Sequence, residues 1–179
     1  MHELFVGITM SGKTTLARTK AGLYTSAGRH VIVLDPLMDP AWKSQAGAVL
    51  VTDDPDEFLR VYWASRNCAA FIDESGDAVG RYNKPMNQTA TKGRHWGHIN
   101  HYILQRPNAL DVTVRSQCTE VYAFRLSPKD AEILAEDFVQ PELMGASRLN
   151  KGEYIHASGF GQDGKPFVAF GNAFTGRQM

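Results

Sequence analysis

Two short stretches of this chain have the residue types and spacing to work on a phosphate chain. The first is Gly7-Ile8-Thr9-Met10-Ser11-Gly12-Lys13-Thr14, a complete Gly-x4-Gly-Lys-Thr loop followed by Thr15. Phosphate oxygens need several donors converging from one side. Gly7 and Gly12 allow the backbone to turn its N–H groups inward and to come close. A helix starting beneath the loop adds its dipole. Lys13 then reaches the β- and γ-phosphates as a point charge, and the Thr14 hydroxyl is placed to ligate a bridging Mg²⁺. The cofactor-binding set is therefore Gly7, Ser11, Gly12, Lys13, Thr14 and Thr15, with ATP and Mg²⁺ as the implied ligands. The second stretch is the apolar run Cys68-Ala69-Ala70-Phe71-Ile72, which ends in Asp73-Glu74. A buried strand ending in two acids can hold Mg²⁺ through Asp73, by way of water or Thr14, and polarise an attacking water through Glu74.

These residues need a strand ahead of the loop, a helix behind it and a sheet that brings the two strand tips together. The sequence supplies the pattern. Residues 3–6 are apolar, and Leu16, Leu23, Tyr24 and Ala27 share one helical face before Gly28. His30 to Asp35 reads as a second buried strand closed by Pro36, and Ala48 to Thr52 as a third. Asp54-Pro55-Asp56-Glu57 is a helix start with a cap, a first-turn proline and an acidic first turn, and it carries Phe58, Val61 and Tyr62 inward. Ile99 to Leu104 is a further strand whose tip, Gln105-Arg106-Pro107, puts an amide where strand ends meet the nucleotide; Gln105 could sense the γ-phosphate or orient water. A short segment with Val112, Val114 and Arg115, a strand from Glu120 to Leu126 and a helix opened by Ser127-Pro128-Lys129-Asp130 follow. Tyr154 to Ala157 and Phe167 to Phe170 alternate around Asp163-Gly164 as an antiparallel hairpin.

Between Ser75 and Gly97 the pattern loosens, with helix expected only over Asn87 to His95. Arg81, Lys84, Lys92 and Arg94 are interleaved with Tyr82 and Trp96, a composition that suits contact with a nucleic-acid backbone as well as an ordinary solvated loop. His95, His98 and His101 have no acidic or thiol partner at ligand spacing, so a metal there is not expected. Cys68 and Cys118 lack any Cys-x-x-Cys pairing and read as two buried thiols.

The 179 residues, 43% hydrophobic, suit one domain spanning 1–179. Nineteen basic and nineteen acidic residues balance, so nucleic-acid contact must come from a local patch. With no run of about 18 apolar residues and a first strand entered at once, no membrane segment or signal peptide is expected, and the location implied is cytoplasmic.

The order of these features resembles the FtsK/HerA superfamily of DNA-translocating ATPases, which includes viral genome-packaging motors and conjugation ATPases. The resemblance spans about residues 1 to 126. It rests on Gly7 to Thr14, Asp35-Pro36, Ile72-Asp73-Glu74, the block Gly93-Arg94-His95-Trp96-Gly97 through Tyr102-Ile103-Leu104-Gln105-Arg106-Pro107 to Val114-Arg115-Ser116-Gln117, and Tyr122-Ala123-Phe124-Arg125. It implies that Gln105 is a sensor and that Arg115 is an arginine finger inserted into a neighbouring subunit of a hexameric ring, with Arg125 as the alternative finger. It also implies double-stranded DNA as the polymer and a capsid or portal protein as a docking partner. The chain is smaller than most members and lacks their extra N-terminal barrel or membrane segment, which points to a viral or mobile-element motor.

The expected fold is therefore an α/β three-layer P-loop NTPase of RecA/FtsK type, with a largely parallel sheet and a C-terminal antiparallel hairpin, hydrolysing ATP to move DNA. A small-molecule phosphotransferase is the rival, because the same loop and Asp-Glu pair also resemble zinc-containing thymidine kinases, although those use paired cysteines. A GTPase is less favoured, since Asn-Lys-x-Asp occurs only in damaged form at Asn83-Lys84-Pro85-Met86 and Asn150-Lys151-Gly152-Glu153. An intact Glu74 argues against a non-hydrolysing scaffold.

Overall fold

The strand patterns of the sequence assemble into a single mixed sheet. The structure, a computed structural model, describes residues 2–74, 83–159 and 165–178. Nine strands occur among them: β1 (His2–Val6), β2 (Val31–Leu34), β3 (Leu50–Thr52), β4 (Ala69–Ile72), β5 (Ile99–Leu104), β6 (Cys118–Ala123), β7 (Glu153–Ser158), β8 (Phe167–Asn172) and β9 (Arg177–Gln178). They lie in the order β3-β2-β4-β5-β1-β6-β7-β8-β9. The first six run parallel, as crossover helices demand, and β7, β8 and β9 add antiparallel ribbons at one end.

Strand alternation divides the core into two layers. Leu4, Val6, Ile32, Leu34, Ala70, Ile72, Tyr102 and Leu104 face one side. There they meet α3 (Pro55–Ala64), α4 (Lys84–Lys92), α5 (Val112–Arg115) and α6 (Pro128–Phe138) through Phe58, Tyr62, Met86, Ala90, Val114, Leu134 and Phe138. Phe5, Val31, Val33, Ala69, Phe71 and Ile103 face the other side, under α1 (Lys13–Ser26) and α2 (Ala41–Ser44). Helices on both faces of a mainly parallel sheet make the expected three layers.

Three expectations need correction. Leu23 is 66% exposed, and the buried stripe of α1 is Leu16, Ala17 and Ala21. The face between them is completed by Lys20, whose ammonium meets Glu3 and the Tyr122 hydroxyl, so a cation takes the place the apolar pattern assigned to leucine. The helix expected over Asn87 to His95 starts earlier, at Lys84, because the Asn83 side chain accepts from Met86 N and Pro85 lies in the first turn. It tightens to a 3₁₀ turn at Gly93–Trp96, where a Cβ on Gly93 would stand 1.9 Å from the Tyr62 hydroxyl oxygen. The strand expected over Glu120 to Leu126 begins two residues sooner, with Cys118 opposite His2, and ends at Ala123, where the chain turns past the loop after β1. Residues 75–82 and the expected turn at Asp163-Gly164 lie outside the described residues.

Candidate nucleotide site

The loop between β1 and α1 is shaped by what surrounds it. A Cβ on Gly7 would stand 2.6 Å from Phe124 Cβ, and Gly12 has φ 114°, a conformation suited to glycine, with Phe124 and Ala173 packed against it. Asp54, Asn83 and Ser127 cap the N-termini of α3, α4 and α6 with their side chains, whereas the N-terminus of α1 at Gly12 has no side-chain cap. Its first-turn N–H groups are thus left for an anion. The Ser11 hydroxyl, in a residue only 4% exposed, is buried without a hydrogen-bond partner. An orphaned hydroxyl beside an uncapped helix start fits a phosphate.

Lys13 folds over this loop and donates to Gly7 O at 2.8 Å and Ile8 O at 2.9 Å. Burial pushes its pKa below the usual lysine value, with Asp73 and Glu74 pulling the other way. The ammonium therefore rests on two loop carbonyls beside the uncapped start of α1.

The acids arrive from β4, which is not next to β1: β5 lies between them. Thr14 Oγ1 donates to Asp73 Oδ2 at 3.2 Å, and Asp73 Oδ1 accepts from Glu74 N at 2.9 Å. Desolvation, with the nearby Asp35 carboxylate adding to it, raises Asp73 to a pKa of about 6, while the bonds from Glu74 N and Thr14 oppose the rise. A buried carboxylate beside a second carboxylate is a site that a divalent cation would stabilise. Thr14 and Asp73 thus fit Mg²⁺. Glu74 sits at φ 48°, which turns its side chain toward the end of β5, where Gln105 Nε2 lies 3.5 Å from both carboxylate oxygens. Thr15 is half-buried at the next position of α1.

The remaining candidates fall elsewhere. Arg115 ends α5, three residues before β6 begins opposite His2. The Arg115 side chain is 10% exposed; its guanidinium pairs with Asp137 and donates to Pro107 O at 2.9 Å. Arg125 is exposed at the opposite edge, and its carbonyl accepts from Ile8 N at 2.9 Å. Lys84, Lys92 and Arg94 are exposed along α4 and the turn after it, while Arg81 and Tyr82 lie outside the described residues. Trp96 packs edge-on to Trp63, with Arg66 over its ring. His98 accepts from Cys68 N and bonds to Tyr62 O, and His101 bonds to Ala70 O and stacks on Phe71. Burial lowers both histidine pKa values. Cys68 and Cys118 are buried free thiols.

Sequence reasoning weighed Lys151 only within a damaged Asn-Lys-x-Asp pattern and passed over Phe174; the two border the loop from beyond β6. They line a cavity of about 270 Å³ together with Met10, Gly12, Lys13, Thr14 and Thr15. It also passed over Arg106, which grips Asp130 with two bonds of 3.2 Å and lines a cavity beside Ile8, Thr9 and Gln105. The only sequence signals were a lysine in a Gly-containing turn and an arginine next to a sensor-like glutamine.

A parallel sheet of this order, with an uncapped Gly-rich loop after the central strand and paired acids two strands away, defines the P-loop NTPase fold. By sequence alone the chain matches no protein-family profile and no curated protein. Solved structures do match. The genome-packaging NTPase B204 of Sulfolobus turreted icosahedral virus 2, in complex with AMPPCP, superposes with a TM-score of 0.74 at 16% identity, covering 93% of this chain and 94% of that one. The pCW3 conjugation coupling protein TcpA, with ATPγS, gives 0.64 at 16% identity over 93% of this chain and 59% of that one. The cytoplasmic domain of the type VII secretion ATPase EccC from Thermomonospora curvata gives 0.62 at 12% identity, covering 93% and 23%. The fold is therefore the one these three proteins share, an α/β P-loop NTPase fold with a largely parallel sheet and a C-terminal antiparallel hairpin, as the order of elements in the sequence predicted. No helix among the described residues is long and apolar enough to cross a membrane.

Proposed function

We propose that this chain is an ATP-hydrolysing motor that translocates or packages DNA. The observation that carries the hydrolytic half is the convergence of three strand ends: Thr14 meets Asp73 while Gln105 faces Glu74 beside the same loop. Lys13 exchanges the Gly7 and Ile8 carbonyls for β- and γ-phosphate oxygens. Glu74 accepts a hydrogen bond from the attacking water, and Gln105 holds Glu74 and the water in line. Thr14 and Asp73 hold Mg²⁺, which when bound supplies neutralising charge to the phosphates.

The DNA half is supported by the fold shared with genome-packaging and conjugation-coupling proteins and by the exposed cations Lys84, Lys92 and Arg94. The working form is a homo-oligomeric ring, a hexamer, docked on a capsid or portal protein, acting in the host cytoplasm or at the virion. Arg115 is held in its own subunit by Asp137 and Pro107 O, and serves the neighbour's γ-phosphate once that pairing opens. The two buried cysteines leave a zinc-containing kinase without its metal pair. The decisive measurement is ATP turnover with and without duplex DNA. Mg²⁺-dependent turnover that rises severalfold with duplex is expected. No turnover refutes the hydrolase, and turnover blind to DNA, with no DNA binding, refutes the motor.

A further inference from the structure

The antiparallel ribbon at the end of the sheet reaches back to the phosphate loop. β7 starts and β8 ends at the same sheet edge as the loop, because β7 runs antiparallel to β6. A relay of backbone bonds ties them: Gly152 N donates to Ser11 O at 2.9 Å, and Ala173 N donates to Gly152 O at 2.8 Å. Phe174 follows, with its own N–H bonded to Asn172 Oδ1 at 2.9 Å. Its ring rests on Gly152, where an added Cβ would stand 2.4 Å from Phe174 Cδ2. The Cδ2–Cε2 side of the ring is thereby anchored, yet the residue is 54% exposed. Met10, at φ 62° and 76% exposed, projects from the loop into the same cavity, and exposed Lys151 borders it without an ion-pair partner among the described residues.

The position of this cavity gives the bound nucleotide a direction. Asp73, Glu74 and Gln105 follow β4 and β5 on one side of β1, whereas Lys151 and Phe174 come from beyond β6 on the other. The γ-phosphate must point to the acids, so the rest of the molecule leaves the loop past Thr14 and Thr15 toward Phe174. An exposed aromatic ring anchored against Gly152, a flexible thioether and a cation with no ion pair among the described residues, all lining the cavity at the loop, match a purine with its sugar-proximal phosphate.

We infer that Phe174 and Met10 form the platform on which the nucleotide base stacks, and that Lys151 neutralises the phosphate nearest the sugar. This rests on the nucleotide reading above and deepens it. It makes the C-terminal ribbon part of the nucleotide site, so that base recognition comes from the end of the chain and phosphate recognition from its beginning.

The test compares ATP with inorganic tripolyphosphate, which has the phosphates and no base, by calorimetric titration of the whole chain in Mg²⁺. The parent should bind both. Phe174→Ala should weaken ATP about 5- to 100-fold, the range expected for losing one base–aromatic stack, and leave tripolyphosphate within twofold. Phe174→Tyr should restore ATP binding. Lys151→Gln should weaken ATP several-fold at low salt and lose that difference at high salt. ATP affinity unchanged in Phe174→Ala, or equal losses for both ligands, overturns the platform while the phosphate loop stands. A parent that binds neither ligand overturns the nucleotide reading and the platform with it.

Discussion

Lowering the pH should destabilise this protein partly through one histidine buried between the sheet and α1. His101 lies on β5 between Phe71, on which it stacks at 4.1 Å, and α1, with Nδ1 at 3.1 Å from Ala70 O and Nε2 at 3.3 Å from the Tyr24 hydroxyl. Glu3, Lys20 and Glu120 are the charged groups that influence it. Burial dominates, and its pKa falls to about 4 from the usual 6.5. Between those values the unfolded chain takes up a proton that the folded chain refuses. Stability therefore falls as pH drops from 6.5 toward 4 and levels off below. The full difference is worth about 3 kcal/mol, of which about 2 kcal/mol is already lost at pH 5. His101→Gln keeps an amide that can bond Ala70 O but cannot titrate. Its packing loss is the same at both pH values and cancels in the comparison. Urea unfolding at pH 7.5 and pH 5.0 should show the variant losing about 2 kcal/mol less than the parent between the two. Equal losses, within about 0.5 kcal/mol, would refute the claim that His101 is held neutral.

Lys13→Ala should bind ATP at least a hundredfold more weakly and show no turnover, because two charge-assisted phosphate bonds are removed; parental turnover in a rate assay would sink the loop assignment. Glu74→Gln should retain ATP binding by calorimetry and lose turnover, the pattern of a group that acts in the transition state. Alanine at Lys84, Lys92 and Arg94 together should weaken duplex binding uniformly across sequences and flatten its log–log salt slope by about one per lost contact; an unchanged slope would place the polymer elsewhere. Arg115→Ala and Lys13→Ala should each be inactive alone yet recover activity when co-assembled, since mixed interfaces pair an intact loop with an intact finger. Silent mixed rings would refute a shared site.

The local parts of this protein are legible in its sequence because their physics is local. Eight consecutive residues make the phosphate loop, Asp54 and Ser127 cap the helices that follow them, and continuous apolar runs mark the strands at the centre of the sheet. Even the contact of Thr14 with Asp73 could be anticipated, because parallel strands deliver their C-terminal tips to one edge. What the sequence left open is everything that depends on which strand lies beside which. Only the sheet order puts β5, and hence Gln105, between the loop and Glu74. Only helix packing gives Arg115 to Asp137, 22 residues away, while the nearer acids take other partners: Asp111 caps α5 and Glu120 bonds His156. The misplaced Leu23 has the same origin, since apolar periodicity does not register a lysine that reaches a buried carboxylate across the sheet. Lys151 lies only in a damaged Asn-Lys-x-Asp pattern and Phe174 in no motif at all. They become part of the site because antiparallel pairing of β7 with β6 returns the chain to the edge where it began, and such long-range pairing is decided by burial of the whole sheet rather than by any local preference.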